Sequence, residues 1–347
     1  MSLTVLSVAY PFAPVTADPV GGSEQVLGQL DRALVAAGHR SIVIAPEGSS
    51  VAGELVPTLP VPDEIDAADR APAHAAMRDR IARVLARGDV DLVHLHSLDF
   101  HAYMPPPGLP ALVSLHLPLD WYPPEALRPA RPRTWLHPVS AAQARTAPAG
   151  AALGAPIENG VRIPERAARK RGFALCLGRI CPEKGVDDAL QAARMAGKPL
   201  LVAGTVFPYA EHRAFFRDCV QPLLDRQRRW IGAVAGSAKQ RLLAQAECVV
   251  VPSKARETSS LVAMEALAAG TPVVAYRSGA LSDIVAHGRT GFLVDAGDVE
   301  GLAAAMREVG AIDPGECRRE AARRFSAERM IRAYFQRYAE LAELAPV

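Results

Sequence analysis

The chain has 347 residues, half of them apolar and 22% charged, with 39 lysines and arginines against 37 aspartates and glutamates, for a formal charge of +2. That is ordinary globular composition, long enough to bury two modest cores, and no apolar run approaches the length that spans a bilayer. The small net charge, with no recognition module and no aromatic platform in a basic groove, excludes a nucleic-acid binder.

The opening Met-Ser-Leu-Thr-Val-Leu-Ser-Val lacks a basic flank and a small-residue cleavage site, so it reads as a buried first strand and predicts a cytoplasmic protein. Five cysteines (Cys176, Cys181, Cys219, Cys248, Cys317) are scattered, without Cys-x-x-Cys or Cys/His ligand spacing. Reduced thiols and no zinc site are expected.

Along the chain, Leu3–Tyr10 reads as a strand, Ser23–Ala37 as a helix, Ser41–Pro46 as a strand, His74–Gly88 as a helix and Asp89–His96 as a strand. Between them Asp63–Met77, rich in Ala, Asp and Pro, reads as a surface loop or lid. Ala111–His116 and Thr134–Ser140 predict two more strands, with the Pro-rich stretch Leu117–Pro132 too broken for a long helix. This rhythm means βαβ units and a parallel sheet.

A basic, Pro-containing stretch without apolar period, Val161–Gly172, reads as the linker. Alternation resumes at Phe173–Leu177, with strands near Pro199–Gly204, Trp230–Val234, Cys248–Pro252, Thr271–Tyr276 and Gly291–Val294. Ser326–Ala345 reads as one amphipathic helix capped by Ser326. The expected fold is α/β, two Rossmann-like doubly wound domains facing across a cleft, over residues 1–160 and 161–325. Residues 326–347 form a helix returning to the first domain.

The strongest chemical pattern is Pro252-Ser-Lys-Ala-Arg-Glu257-Thr258-Ser259-Ser260-Leu261-Val-Ala-Met-Glu265, a strand end, a polar loop and a helix opening near Ser259. Backbone amides at the mouth of such a helix suit a diphosphate, and carboxylates suit sugar and ribose hydroxyls. A second pattern, Leu177-Gly-Arg179-Ile-Cys-Pro-Glu-Lys184-Gly185, opens a helix around Lys184 and places two cations at a strand's carboxyl end, where open α/β sheets bind ligands.

These two stretches resemble family 4 of the glycosyltransferases, retaining enzymes of GT-B fold with a Gly-Arg-x-x-x-x-Lys-Gly motif and two glutamates separated by seven residues. The similarity continues in Asn159-Gly-Val161, Gly279-Ala-Leu-Ser-Asp-Ile-Val and His287-Gly-Arg-Thr-Gly-Phe-Leu-Val294. In the first domain Gly21-Gly22-Ser23-Glu24 looks like the family's glycine loop, and Ser114-Leu-His116 like the strand that ends in its active-site histidine. Thr258-Ser259-Ser260 departs from the family's usual Pro-Phe-Gly.

The resemblance implies transfer of a sugar, with retention, from a nucleotide-diphosphate donor (UDP-sugar before GDP-sugar) to a hydroxyl-bearing acceptor: a glycan, a lipid or a small metabolite. His116, Glu257, Arg179 and Lys184 are then the catalytic residues. Gly21, Gly22, Ser23, Thr258, Ser259, Ser260, Leu261 and Glu265 complete the donor site, with Glu265 on the ribose, while His94 and His96 are read as structural. No cofactor or metal is expected: Asp89-Val-Asp91 mimics a metal-binding Asp-x-Asp but falls at the start of a buried strand. Trp121, Tyr122 and the arginines at 128, 131 and 133 suit either acceptor docking or peripheral membrane contact, and both readings stay open. Rival readings are a GT-B sugar-nucleotide epimerase or phosphorylase, a non-catalytic nucleotide-sugar binder, and a Rossmann oxidoreductase. The last would need a Gly-x-Gly-x-x-Gly turn after the first strand, which Tyr10-Pro-Phe-Ala-Pro does not supply.

Overall fold

The computed structural model describes residues 2–343 other than 18, 20, 166, 167 and 208. It divides into two compact units, the first running to Asn159 and taking in the chain from Glu328, the second spanning Gly160–Ala327.

In the first unit the elements are β1 (Thr4–Val8), α1 (Gly22–Ala36), β2 (Arg40–Ala45), β3 (Glu54–Pro57), α2 (Arg70–Leu85), β4 (Leu92–Leu95), β5 (Ala111–Leu115), β6 (Thr134–Pro138) and α3 (Ala141–Ala144). The strands form one parallel sheet in the order β3-β2-β1-β4-β5-β6. In the second unit they are β7 (Ala174–Leu177), α4 (Val186–Met195), β8 (Leu200–Ala203), α5 (Ala210–Phe215), β9 (Arg228–Trp230), α6 (Gly236–Gln245), β10 (Cys248–Val251), α7 (Leu261–Ala268), β11 (Val273–Tyr276), α8 (Leu281–Ile284), β12 (Gly291–Val294), α9 (Val299–Glu308) and α10 (Pro314–Arg324). That sheet is also parallel, ordered β12-β11-β10-β7-β8-β9. The last helix is α11 (Ala327–Glu343); residues 344 and 345 of the expected helix lie outside the described residues.

Both sheets repeat one doubly wound order. Covered on both faces, their strands are near-continuous Val, Ile, Leu and Ala runs, and Val5, Leu6, Ile42, Val93, Leu175, Val202 and Val249 expose nothing. The order reverses between β1 and β4 in the first sheet and between β7 and β10 in the second, and ligands of open α/β sheets bind at the strand carboxyl ends beside such a reversal.

Several expectations are revised. The short strand β3 was not anticipated, and α2 starts at Arg70, so half of the expected 63–77 loop is helix; Pro72 falls in its first turn, where the missing amide hydrogen costs no helical bond. The supposed linker is tied to the second unit. Val161 bridges Ser326, Arg171 donates to the Gln245 carbonyl, and Lys170 Nζ bonds Thr271 Oγ at 2.5 Å.

The basic, aromatic stretch of the first unit is divided: Tyr122 is buried, Arg131 and Arg133 are half-buried, and Trp121 and Arg128 are exposed. Arg131 donates to the carbonyls of Pro105, Pro106, Leu109 and Pro132 at 2.7–3.1 Å, so its guanidinium organises the 105–109 loop. Tyr122 is buried and its hydroxyl accepts from the Leu117 amide at 3.3 Å. Only Trp121 of the aromatic pair is exposed. No described helix is long and apolar enough to cross a membrane.

Helix α11 joins the first sheet through a buried polar hub at Ser114. His137 Nδ1 lies 3.2 Å from the Pro138 carbonyl and must donate to it, which leaves Nε2 to accept from the Ser114 hydroxyl at 2.8 Å. Ser114 Oγ then accepts from His94 Nε2 (2.8 Å) and Tyr334 (3.0 Å), and His94 Nδ1 accepts from Tyr338 at 2.7 Å. Every proton has one consistent place with all three residue types neutral. Burial holds His94 and His96 well below the usual imidazole range and takes His137 down to about 4.

Removing the Ser114 hydroxyl deletes one oxygen and strands three buried partners, each worth about 1–3 kcal/mol when left unsatisfied. Ser114→Ala should therefore lower unfolding free energy by roughly 2–4 kcal/mol in urea titration, allowing for partial rearrangement; a loss below about 1 kcal/mol would refute the hub. The histidines also set a pH dependence. Their folded pKa values are depressed, so as pH falls below about 6.5 the unfolded chain takes up protons that the folded one refuses until near the folded pKa of His137, about 4. Stability should be full above pH 7 and fall steadily from pH 6.5 to 5, read as the thermal midpoint; a flat midpoint over that window would count against neutral buried imidazoles.

Candidate functional site

The loops at the reversal of the second sheet carry the two sequence patterns. After β7, Gly178 donates its amide to Ala203 and the chain enters a 3-10 turn, Pro182–Lys184, before Gly185 adopts a left-handed conformation (φ 61°) and α4 begins at Val186. The helix expected around Lys184 is thus a turn plus a later helix. Gly185 explains the break. A side chain there would drive its Cβ into the Pro252 carbonyl oxygen, and the left-handed region itself favours glycine.

After β10 the segment Pro252–Ser260 is held from both sides. The carbonyl of Glu183 accepts from the Lys254 amide (2.8 Å) and from Ser253 Oγ (3.2 Å). On the opposite side Ala280 donates to the Glu257 carbonyl at 2.7 Å and Ser278 Oγ to that of Ala255 at 2.5 Å. Gly279 (φ 52°) lies so close to the Glu257 backbone that a Cβ would overlap it. Helix α7 begins at Leu261, two residues beyond the expected Ser259, because Ser260 is its cap and accepts from the Ala263 amide at 3.4 Å.

These constraints bring Lys184 and Glu257 together: Nζ donates to Oε1 at 2.6 Å, with the Glu257 side chain 9% exposed and that of Lys184 31%. The sequence assigned them to different groups of a ligand and did not anticipate the ion pair. Ser259 Oγ is shielded from solvent without a hydrogen-bond partner, a cost that a ligand atom would relieve. The first amides of α7 have no partner within the helix, and the helix dipole adds positive potential at that end. Arg179 lies on the same loop as Lys184, with its guanidinium 5.6 Å from the centre of the Phe207 ring. Arg179, Lys184 and the amides at the start of α7 thus lie on the two loops at the strand-order reversal, with the Glu257 carboxylate beside Lys184.

Glu265, inside α7, accepts from Lys239 Nζ of α6 at 2.8 Å. Lys239 escaped sequence reading because no local pattern links it to Glu265. The same holds for Lys254, whose Nζ pairs with Asp187 at 3.2 Å and Asp188 at 3.1 Å, anchoring the loop to α4.

The remaining expected residues belong to the first unit. Gly21 caps α1, Gly22 opens it, and Ser23 Oγ donates to Glu24 Oε1 at 2.9 Å. His116 follows β5, with its ring stacked on His96 (5.3 Å between centroids) and Nε2 3.1 Å from His96 Nδ1. Burial lowers its pKa to about 3, with His137 adding repulsion. Part of His116 nevertheless remains exposed, in contrast to buried His94 and His96. Asp89 and Asp91 lie at the amino end of β4, where Asp89 bonds Arg40 and Asp91 Oδ2 accepts from the Thr4 amide at 2.7 Å. They staple strands.

Comparison with known proteins agrees with this layout. The model for glycosyl transferases group 1 matches residues 161–326, and that for Glycosyltransferase Family 4 matches residues 20–152. A glycogen synthase of Mycobacterium tuberculosis is 35% identical over 183 residues, 48% of this chain and 41% of that protein. From the same organism, a GDP-mannose-dependent alpha-(1-6)-phosphatidylinositol monomannoside mannosyltransferase is 32% identical over 152 residues, 40% and 38% of the two chains. The matches therefore span less than half the length of these curated relatives. Among solved structures, AviGT4, a glycosyltransferase involved in avilamycin A biosynthesis, superposes with a TM-score of 0.70 at 25% identity over 99% of both chains. Anabaena Alr3699/HepE in complex with UDP and glucose does so with 0.74 at 17% identity over 97% of this chain and 99% of that one, a likeness of fold alone. Both units carry the doubly wound architecture, both family models find their place in order, and the chain belongs to the family 4, group 1 glycosyltransferases.

Proposed function

We propose that the protein transfers a glycosyl group from a nucleotide-diphosphate sugar, UDP-linked before GDP-linked, to a hydroxyl of a glycan, lipid or small-metabolite acceptor. The anomeric configuration is retained and no metal ion takes part in the chemical step. The observation that carries this reading is the Lys184–Glu257 pair beside the mouth of α7, at the strand-order reversal of the second sheet.

Breaking the bond between sugar and diphosphate leaves negative charge on the departing phosphate and positive character on the sugar carbon. Arg179, Lys184 and the amides of Ser259–Leu261 meet the first, and preorganised donors of this kind act where charge develops. That work is what a divalent ion does in metal-dependent transferases, so an ion here is redundant. Glu257, held by Lys184 and by the Gly279 turn, accepts from sugar hydroxyls and orients the ring. Glu265 takes the ribose hydroxyls, with Lys239 fixing its carboxylate.

From the first unit the same reading enlists His116 for a sugar hydroxyl and the turn Gly21–Ser23 for phosphate. A neutral imidazole fits that task, since it both donates and accepts. The GDP-mannose-dependent relative supports a nucleotide-sugar donor.

Two outcomes are expected. Saturating UDP should raise the thermal midpoint, with GDP giving a smaller shift and ADP and NAD none, because a ligand bound only by the folded state stabilises it by mass action. No shift with any nucleoside diphosphate would favour a protein that has lost its donor site. With excess chelator present, the wild type should keep its full rate and Lys184→Ala should lose about two to three powers of ten in turnover, the range for removing one preorganised charge partner. A wild type whose rate, lost in chelator, returns with Mg2+ or Mn2+, or a near-normal variant, would overturn the assignment.

A further inference from the structure

Around the 3-10 turn before α4, Cys181, Glu183 and His212 each place one ligand atom within 4.8 Å of the other two. Cys181 and Glu183 flank Pro182 at the 3-10 turn, and His212 comes from α5, so only the packing of α5 against that turn brings the three together. Cys181 is fully buried and His212 keeps 7% of its surface exposed.

Two of these side chains carry unspent binding capacity. His212 Nδ1 and Glu183 Oε2 are both shielded from solvent and neither has a hydrogen-bond partner. Buried polar atoms are almost always paired, and two exceptions converging on one thiol call for an absent group. The Cys181 thiol hydrogen-bonds the Glu183 carboxylate and leaves its second oxygen and the imidazole nitrogen unspent. A cation that takes the place of the thiol proton engages nitrogen, oxygen and sulfur together, whereas a water would serve only the nitrogen and the oxygen.

We infer that Cys181, Glu183 and His212 form a site for one divalent transition cation of the Zn2+ class. A mixed sulfur, nitrogen and oxygen set suits a borderline-soft ion over Mg2+ or Ca2+, which take oxygen. Bond lengths of about 2.0–2.3 Å put tetrahedral ligand atoms about 3.5 Å apart, so the ligand atoms, within 4.8 Å of one another, close by about 1 Å on binding. One thiolate and one carboxylate balance the ion's two charges, so the occupied site is neutral beside the nearby Arg179. Three protein ligands leave the fourth position to water.

The site stands apart from the proposed chemistry, since neither Lys184 nor Glu257 is a ligand; its role is to tie α5 to the turn that carries Lys184. That placement makes it a clamp on the loop, and occupancy stabilises the unit by mass action. It does not rest on the sugar-transfer reading, and its test needs no activity.

The full chain, treated with chelator and then desalted, is titrated with Co2+ as a spectroscopic substitute, followed by competition with Zn2+. One equivalent of Co2+ should give a thiolate-to-metal absorption band in the near ultraviolet that Zn2+ bleaches, and Zn2+ should raise the thermal midpoint. Cys181→Ser should abolish the band, while His212→Asn and Glu183→Gln weaken Co2+ binding at least tenfold and Cys219→Ser, at an exposed cysteine, leaves it intact. If Cys181→Ser fails to fold, His212→Asn at α5 carries the decision. Absence of the band in the wild type, its persistence in Cys181→Ser, or an unchanged Co2+ affinity in His212→Asn, would overturn the site.

Discussion

The candidate site depends on a backbone constraint: the segment Pro252–Glu257 runs between two glycines that leave no room for a side chain. Gly185 presses on the Pro252 carbonyl and Gly279 on the Glu257 backbone, both with positive φ. Between those contacts the segment has little freedom, and the carbonyls of Glu183, Ala255 and Glu257 spend their acceptor capacity on holding it. The Lys184–Glu257 ion pair, the start of α7 at Leu261 and the buried hydroxyl of Ser259 follow from that fixed path. Catalysis by preorganisation needs this kind of rigidity, because polar groups that must reorient during reaction give back the energy they supply.

The first unit solves a different problem. Its sheet buries His94, His137 and Ser114 at the carboxyl side of β4–β6, and α11 closes over them with Tyr334 and Tyr338. Arranged with one proton per bond, the hub holds two imidazoles, His94 and His137, neutral and gives α11 a directional attachment that apolar packing alone lacks. His116 stands at the edge of this cluster, stacked on His96. Its neutral state is therefore a consequence of the same burial that fixes the helix.

Much of this was legible in one dimension. The alternation of apolar runs with amphipathic segments is what a doubly wound parallel sheet requires, since strands covered on both faces cannot tolerate polar positions. The spacing of Arg179 to Lys184 and of Glu257 to Glu265 marked the loops at the carboxyl ends of β7 and β10. Misreadings were local. Asp63–Met77 lost its helical half because Ala, Asp and Pro weaken the periodic signal, and the supposed linker at 161–172 is bound along part of its length by contacts to Gln245, Thr271 and Ser326. Arg131 was read as a group for acceptor or membrane because nothing in its neighbours says that five carbonyls surround it.

The division has a physical origin. Burial period, turn chemistry and capping act over a few residues, so the sequence alone determined the fold class, the alternation of strands and helices apart from short β3, and the loops in which the two charged patterns lie. Pairings between residues brought together from distant elements are decided by packing: Lys184 with Glu257, Glu265 with Lys239, Ser114 with both α11 tyrosines, and Cys181 and Glu183 with His212. Such a pairing depends on how the sheets twist and where each helix lands, which no window of sequence contains. Tertiary structure alone chose the partners of each charge and hydroxyl, and with them the chemistry the site can perform.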